Sequence, residues 1–393
     1  MYFDLTDEQG AIRSTAREFL AARYKSERIR ELAESDRGFE TSDWEEMAEL
    51  GWPGLALPEE WGGQGLGIVE LAVLFEEMGY ALVPSPLLSS TVAGLALAAN
   101  GSDELKERWL RPLAAGEARG SDEQKDRWLR PLAAGEARGT VALFDAGTAA
   151  AIGGFAMEAK ADGEGVVLDG EKALVMDADA ADFFLVATAD GRRHIVERDA
   201  EGVRVAVEPS IDLTRRLYAV RFDGVRVAPE ATLDGAQEDY LPVLWRACVA
   251  IAAESTGIAQ RTMEMAVEYA KDRKQFGRPI GSYQAVSHRC AQMLLETENS
   301  RSAVYGAAWA ADAAPESLPL AASMAKAYAS DAGWRVPDAS IQVHGGIGFT
   351  WEHDLHFFLK RGKANAATFG DAKWHRERVA DIVLAEASAP VPA

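Results

Sequence analysis

The hydrophobic period of this 393-residue chain changes twice, and the two changes constrain the folds open to it. Up to about residue 138 apolar residues recur at helical spacing. Thr6-Asp7-Glu8-Gln9 reads as a capping box, after which Ile12, Ala16, Phe19 and Leu20 share one helical face. Trp44–Leu50 and Leu71–Met78 repeat the pattern, and the Pro- and Gly-rich stretch Pro58–Gly65 between them reads as a loop. From about 139 to 235 the apolar runs shorten and alternate, as in Val166-Val167-Leu168, Phe183–Val186, Ile195-Val196 and Val203/Val205/Val207. Asp-Gly pairs such as Asp162-Gly163 and Asp223-Gly224 separate them, which is the pattern of an antiparallel β-domain. The helical period then returns in Ala247–Lys271, Ser287–Ala311 and Leu318–Val336. The expected fold is α+β in three parts: an N-terminal helical domain at 1–138, a middle antiparallel β-domain at 139–235, and a C-terminal four-helix bundle at 236–388. The tail from Ser388 is expected to fray.

Charge and cysteine content exclude several classes of function. The formal net charge is −21, a surface that repels nucleic acid and anionic lipid, so neither is an expected partner. An anionic cofactor is repelled too, and must be held by local arginines and helix ends. No apolar run reads as long enough to span a bilayer, and the acidic start Met1–Leu5 lacks the form of a signal peptide. Cys248 and Cys290 both fall in helical patterns, so a reducing, cytoplasmic setting is expected rather than a disulfide framework.

Residues 101–120, GSDELKERWLRPLAAGEARG, recur almost unchanged across 121–140 as a tandem duplication. Two copies are too few for a solenoid, and an added surface helix and turn costs little closure entropy.

Two short motifs end long helical runs. One is Asp272-Arg273-Lys274-Gln275-Phe276-Gly277-Arg278-Pro279-Ile280, with Gln284 just beyond; the other is Gln342-Val343-His344-Gly345-Gly346-Ile347-Gly348-Phe349. Each offers what a dinucleotide needs: cationic or amide side chains, and glycines that admit phosphate to the backbone. Taken singly, Arg273 is as well explained by an ion pair with Glu268 or Asp272, and Gly345-Gly346 by a helix C-cap. His344, His353 and His356 lie close in sequence without metal-ligand spacing, so they read as packing histidines and no metal is expected. The Gly62–Gly67 cluster is not a dinucleotide fingerprint, because no strand precedes it.

The two motifs, in this order and about seventy residues apart, resemble the acyl-CoA dehydrogenase family. The order of helices, β-domain and helices fits the same family. The resemblance implies FAD as cofactor and an acyl-CoA thioester as substrate, with electrons passing to an electron-transfer flavoprotein. It places Arg273 on the FAD pyrophosphate and Gln275 and Phe276 along the adenosine or flavin. Gln284 would add an amide, and Gln342, Gly345 and Gly346 would pack on the diphosphate. It also implies a catalytic glutamate, and here the chain departs: the two positions used by the family fall on Phe369 and Ala247. The family's flavin-facing middle-domain segments fall on Phe144-Asp145-Ala146-Gly147 and Leu174-Val175-Met176, which differ from it. The chain therefore resembles the base-less subunit of bacterial α2β2 acyl-CoA dehydrogenases acting on bulky, often steroid-derived thioesters. Asp212–Leu217 and the ending Phe369-Gly370…His375-Arg376-Glu377-Arg378 favour that branch. Two alternatives stand beside it: a self-sufficient homotetramer using Asp371 as base, and a non-catalytic scaffold without FAD.

Overall fold

A computed structural model describes residues 5–110, 138–147, 155–233 and 235–388. Most of the duplicated segment, 111–137, lies outside these described residues. The duplication itself needs one correction. Its second copy runs from Gly120 to Gly139, with Gln124 and Asp126 where the first has Leu105 and Glu107.

Element order follows the expected sequence of helices, strands and helices. The helices are α1 (Asp7–Arg23), α2 (Ser26–Glu34), α3 (Thr41–Glu49), α4 (Ile68–Tyr80), α5 (Leu87–Asn100) and the single turn α6 (Asp103–Leu105). After the strands come α7 (Gln237–Asp272), α8 (Gln284–Ala313), α9 (Leu318–His344), α10 (Leu355–Ala367) and α11 (Ala372–Ser388). Contacts group the chain into two compact units that do not follow these sequential thirds. One joins 1–30, 68–83 and 248–393; the other joins 31–67 and 84–247.

The first unit is helical. Its α1 starts at the expected capping box: Gln9 N donates to Thr6 Oγ1 at 3.2 Å and Thr6 N to Gln9 Oε1 at 3.0 Å. The start of α4 has no local cap of this kind. Asp312 of α8 supplies it, accepting from Ile68 N at 2.9 Å and Val69 N at 3.1 Å. Helices α4 and α7 cross backbone to backbone. A Cβ on Gly257 would stand 1.9 Å from Glu76 O and one on Gly79 2.0 Å from Glu254 O, so only glycine fits at either position. The helical run read over Leu318–Val336 continues in α9 through Pro337 to His344. Pro337 is buried in the helix core, and packing along this face outweighs the lost backbone hydrogen bond. Helix α7 is also long and apolar enough to cross a membrane, against the reading of the bare sequence. Its apolar window is 83% buried inside the protein, which accounts for that composition.

The second unit carries the sheets. Strands β2 (Phe144–Asp145), β4 (Gly165–Met176), β8 (Leu217–Val227) and β7 (Val203–Glu208) are antiparallel, with β3 (Ala159–Asp162) also on β4. A second sheet runs β1 (Gly139–Ala142), β5 (Phe183–Ala187), β6 (Arg193–Glu197) and β9 (Thr232–Leu233). Here the antiparallel expectation is corrected: β1 pairs β5 in parallel, Gly139 opposite Phe183. Turn signals reveal hairpins between neighbouring strands, but β1 and β5 are joined through the other sheet, and such a crossover leaves no local mark. Leu168, Val220, Phe222 and Phe184 form the core, with Phe184 and Phe222 edge to face at 6.4 Å.

Candidate active site

The two motifs end two helices that lie side by side. Tyr269, one turn before Arg273, stacks on His344, which immediately precedes Gly345, with ring centroids 4.4 Å apart. Beneath the stack Ala266, Ala270, Val336 and Val343 pack together. The motifs are therefore at one end of the helix bundle, although far apart in sequence.

Beyond Asp272 the chain makes a two-residue hairpin from β10 (Lys274–Gln275) and β11 (Arg278–Pro279). Phe276 and Gly277 form its tip with φ of 51° and 83°. Left-handed backbone at both central residues suits hairpin twist but is costly for Phe, by about 1–2 kcal/mol. The Phe276 side chain is 94% exposed, so burial does not offset that cost. Strain of this kind clusters at ligand clamps and active sites. The hairpin is braced: Tyr283 OH donates to Gln275 O at 3.1 Å, and the Arg278 guanidinium lies 4.0 Å from the Tyr283 ring centre. The Arg273 side chain is exposed and makes no hydrogen bond or ion pair among the described residues, which disposes of the ion-pair reading. The Gln275 amide turns back to Lys274 O at 2.8 Å, while Gln284 is exposed on the first turn of α8.

On the adjacent helix end Gln342 is exposed, and Gly345 adopts φ 65° as the C-cap of α9. Nothing lies within 4 Å of where a Cβ would stand on Gly345 or Gly346. The capping role is thus real, and the bare backbone also leaves room for a flat or phosphate-bearing ligand. Phe349 (77%) and Trp351 (50%) are exposed on the loop that follows. His344 stacks as above and His353 packs edge to face on it at 4.7 Å. Among the described residues no group of His, Cys, Asp and Glu is placed to hold a metal.

The turn 368–371 is built differently. Phe369 is 1% exposed with φ 56°, and Gly370 follows at φ 94°. Three buried side chains hold this turn by its carbonyls. Lys326 Nζ donates to Gly370 O at 2.9 Å, Ala366 O at 3.3 Å and Ser330 Oγ at 2.8 Å. His375 Nε2 donates to Phe369 O at 3.0 Å, and Cys248 Sγ lies 3.9 Å from the same oxygen. Burial pulls the Lys326 ammonium down to about 8 and pushes the Cys248 thiol up to about 12, so the lysine is charged and the cysteine protonated at neutral pH. The sequence reading missed this trio. Its one signal is a lysine in the small-residue run Ala321–Ser330, four residues from Ala322 and Ser330, both buried. Asp371, the candidate base, is exposed, and its Oδ1 accepts from Trp374 N at 2.8 Å as the cap of α11. Ala247, on α7, is 1% exposed and carries no polar atom beyond its backbone.

Burial also lowers His375 and His194 to about 4 from an ordinary 6.5. The unfolded chain takes up these protons near pH 6.5 and the folded chain only near 4. Stability is therefore complete above 6.5, falls as pH drops from 6.5 to 4, and is flat below. Each histidine is expected to cost about 2 kcal/mol between pH 7 and pH 5. Urea midpoints at the two pH values test this, and His375→Gln should remove about half of the combined loss.

The middle-domain positions do not present polar side chains suited to a flavin. Asp145 takes the buried Lys172 ammonium at 2.7 Å and the backbone amides of Ala156 and Met157 at 2.6 and 3.2 Å. Val175 and Met176 are buried at 1% and 4%, and the Leu174 amide donates to Glu208 Oε2 at 2.7 Å. The residues present thus fit FAD at the outward-facing arginine, glutamine and glycine set, and do not fit it at these middle-domain positions.

Comparison with known proteins points the same way. Residues 6–117 match the model of the acyl-CoA dehydrogenase N-terminal domain, and residues 244–384 that of the C-terminal domain. Acyl-CoA dehydrogenase IpdE2 of Mycolicibacterium smegmatis is 31% identical over 95% of this chain and 98% of its own. IpdE2 of Mycobacterium tuberculosis is 32% identical over 92% of each. Among solved structures, a single-residue variant of the Tcur3481-Tcur3483 steroid ACAD superposes with TM-score 0.83 at 31% identity, covering 98% of this chain and 99% of that one. The ChsE4-ChsE5 complex of Mycobacterium tuberculosis gives TM-score 0.83 at 26% identity over 100% of both chains.

Proposed function

Since this chain belongs to the acyl-CoA dehydrogenase family, oxidoreductases acting on CH–CH bonds, we propose that it is the base-less subunit of a heteromeric FAD-dependent member. It lends FAD contacts to a paralogous partner chain that carries the catalytic carboxylate. The reaction removes a proton from the acyl α-carbon and a hydride from the β-carbon. FAD, when bound, supplies the hydride acceptor. The protein must supply a carboxylate within reach of the α-proton.

The observation that carries the reading is Phe369. An apolar, 1% exposed residue stands where the resemblance puts the glutamate, on a turn held by Lys326 and His375. Ala247 leaves the other position empty as well. This chain's own residues therefore have no group at either place to receive the α-proton. Lending is favoured by the exposure of Arg273 and Gln342, by the bare Gly345-Gly346 backbone, and by the uncovered Phe276, Phe349 and Trp351. An apolar patch of this kind favours a covering partner. Arg273 would hold the pyrophosphate, with Gln342, Gly345 and Gly346 on the diphosphate and Gln275, Phe276 and Gln284 alongside. Likeness to a steroid ACAD favours a bulky acyl-CoA as the complex's substrate, and the family resemblance implies an electron-transfer flavoprotein as its acceptor.

The test is colour. Purified alone, the chain should carry little FAD and show no acyl-CoA bleaching. Purified with its partner, it should give about one FAD per heterodimer. Stoichiometric FAD and turnover in the isolated chain would overturn the reading. The homotetramer reading makes a separate prediction at Asp371. Under the reading favoured here Asp371→Asn leaves activity of the complex unchanged, and Asp371→Ala lowers stability by about 1 kcal/mol through the lost helix cap. Loss of most activity in Asp371→Asn would make Asp371 the base.

A further inference from the structure

Arg193 opens β6 and is 3% exposed, yet among the described residues no carboxylate lies within ion-pair distance of it. Its Nη1 donates to Gly191 O at 2.9 Å and Arg192 O at 3.0 Å. Its Nη2 is buried and has no hydrogen-bond partner among the described residues. The guanidinium carbon lies 4.7 Å from the Phe155 ring centre and 4.4 Å from that of Tyr240. Nearby, Lys172 is fully buried and is paired with Asp145 at 2.7 Å. Two buried cations thus flank Phe155, and among the described residues the one carboxylate within ion-pair distance of either, Asp145, is committed to the lysine. Asp190, the other acid close to Arg193, attracts it from beyond contact distance, but its side chain is 48% exposed and accepts from Thr188 and Arg192 N. His194, adjacent in sequence, is neutral at pH 7 because burial lowers it to about 4. Arg193 itself is lowered by burial only to about 10, so it remains charged.

The same side chain lines a small cavity of about 20 Å³. The rest of the wall is largely apolar: Val92 and Ala96 of α5, Val141 of β1, Leu185 of β5 and Val243 of α7. From this geometry we propose that the cavity is a site for one small monovalent anion, of halide to formate size, bound on the Arg193 guanidinium. A buried charge whose nearest described acid is out of contact and half exposed is a standing cost to the fold. A water molecule fits such a volume and could accept from Nη2, but it leaves the charge uncompensated. A monovalent anion satisfies both the hydrogen bond and the charge. The size of the cavity excludes phosphate-sized or larger ligands, and its apolar wall disfavours a dianion. The inference is independent of the role proposed for the whole chain.

The test uses the full-length chain at fixed ionic strength in sodium chloride, bromide, formate or gluconate, gluconate being too large to enter. The unfolding midpoint should rise saturably in the three small anions relative to gluconate, as expected when a ligand binds only the folded state. Arg193→Met should abolish the difference between salts. Val243→Phe, which fills the cavity and leaves the guanidinium in place, should abolish it too. Crystals of the unaltered protein soaked in sodium bromide should show an anomalous peak beside Arg193 Nη2. Equal midpoints in all four salts, an anion effect that survives Arg193→Met, or no bromide peak would each overturn the proposal.

Discussion

Arg361→Met should destabilise the protein by about 3–5 kcal/mol, because it strands a buried carboxylate. Arg361 is 0% exposed and Glu254 2%, and Nη1 of the first donates to Oε1 of the second at 2.5 Å. The other carboxylate oxygen accepts from Asn365 at 3.1 Å. Both side chains are out of reach of bulk solvent. The pair itself need not be stabilising relative to an apolar pair, since both ions were taken out of water. The double variant Arg361→Met/Glu254→Gln is therefore expected to recover a large part of the loss, a coupling that is measurable because the residues touch. Urea midpoints of the four proteins decide it. A single variant within 1 kcal/mol of the parent would show that Glu254 finds another partner or is protonated.

Arg273→Ala, co-expressed with the partner chain, should bind FAD roughly ten- to a hundredfold more weakly, since a charge-assisted hydrogen bond contributes about 1.5–3 kcal/mol. The fold should be untouched, because the exposed guanidinium makes no bond within the described residues. Arg273→Lys should restore the charge but not the forked geometry, so its flavin retention should fall between the two. The readout is flavin per heterodimer after desalting, with the circular dichroism melt as control. Unchanged flavin content would remove Arg273 from the pyrophosphate and leave the exposed hairpin unexplained.

Much of the fold was legible in advance because periodicity is local. The capping box at Thr6, the helical face of α1 and the alternation through β7 and β8 each depend on neighbours a few residues away. The two motif turns were legible for a similar reason: the hairpin Lys274–Pro279 and the cap at Gly345 are encoded by their own residues. The parallel pairing of β1 and β5, the cap that Asp312 gives to α4, and the Lys326–His375 brace on the Phe369 turn were not legible. Each joins residues with long intervening chain and no shared local pattern.

By itself the sequence determined the order of helices and strands, the two motif turns at Lys274–Pro279 and Gly345, and the absence of a glutamate at 369 and 247. These follow from side-chain identity and short-range spacing. Tertiary structure alone decided that Tyr269 and His344 bring the two turns together, that Asp371 caps a helix, and that Arg193 is buried with no carboxylate in contact among the described residues. The reason is physical. Burial and pairing set the energy of a charge, and both depend on groups supplied by distant parts of the chain.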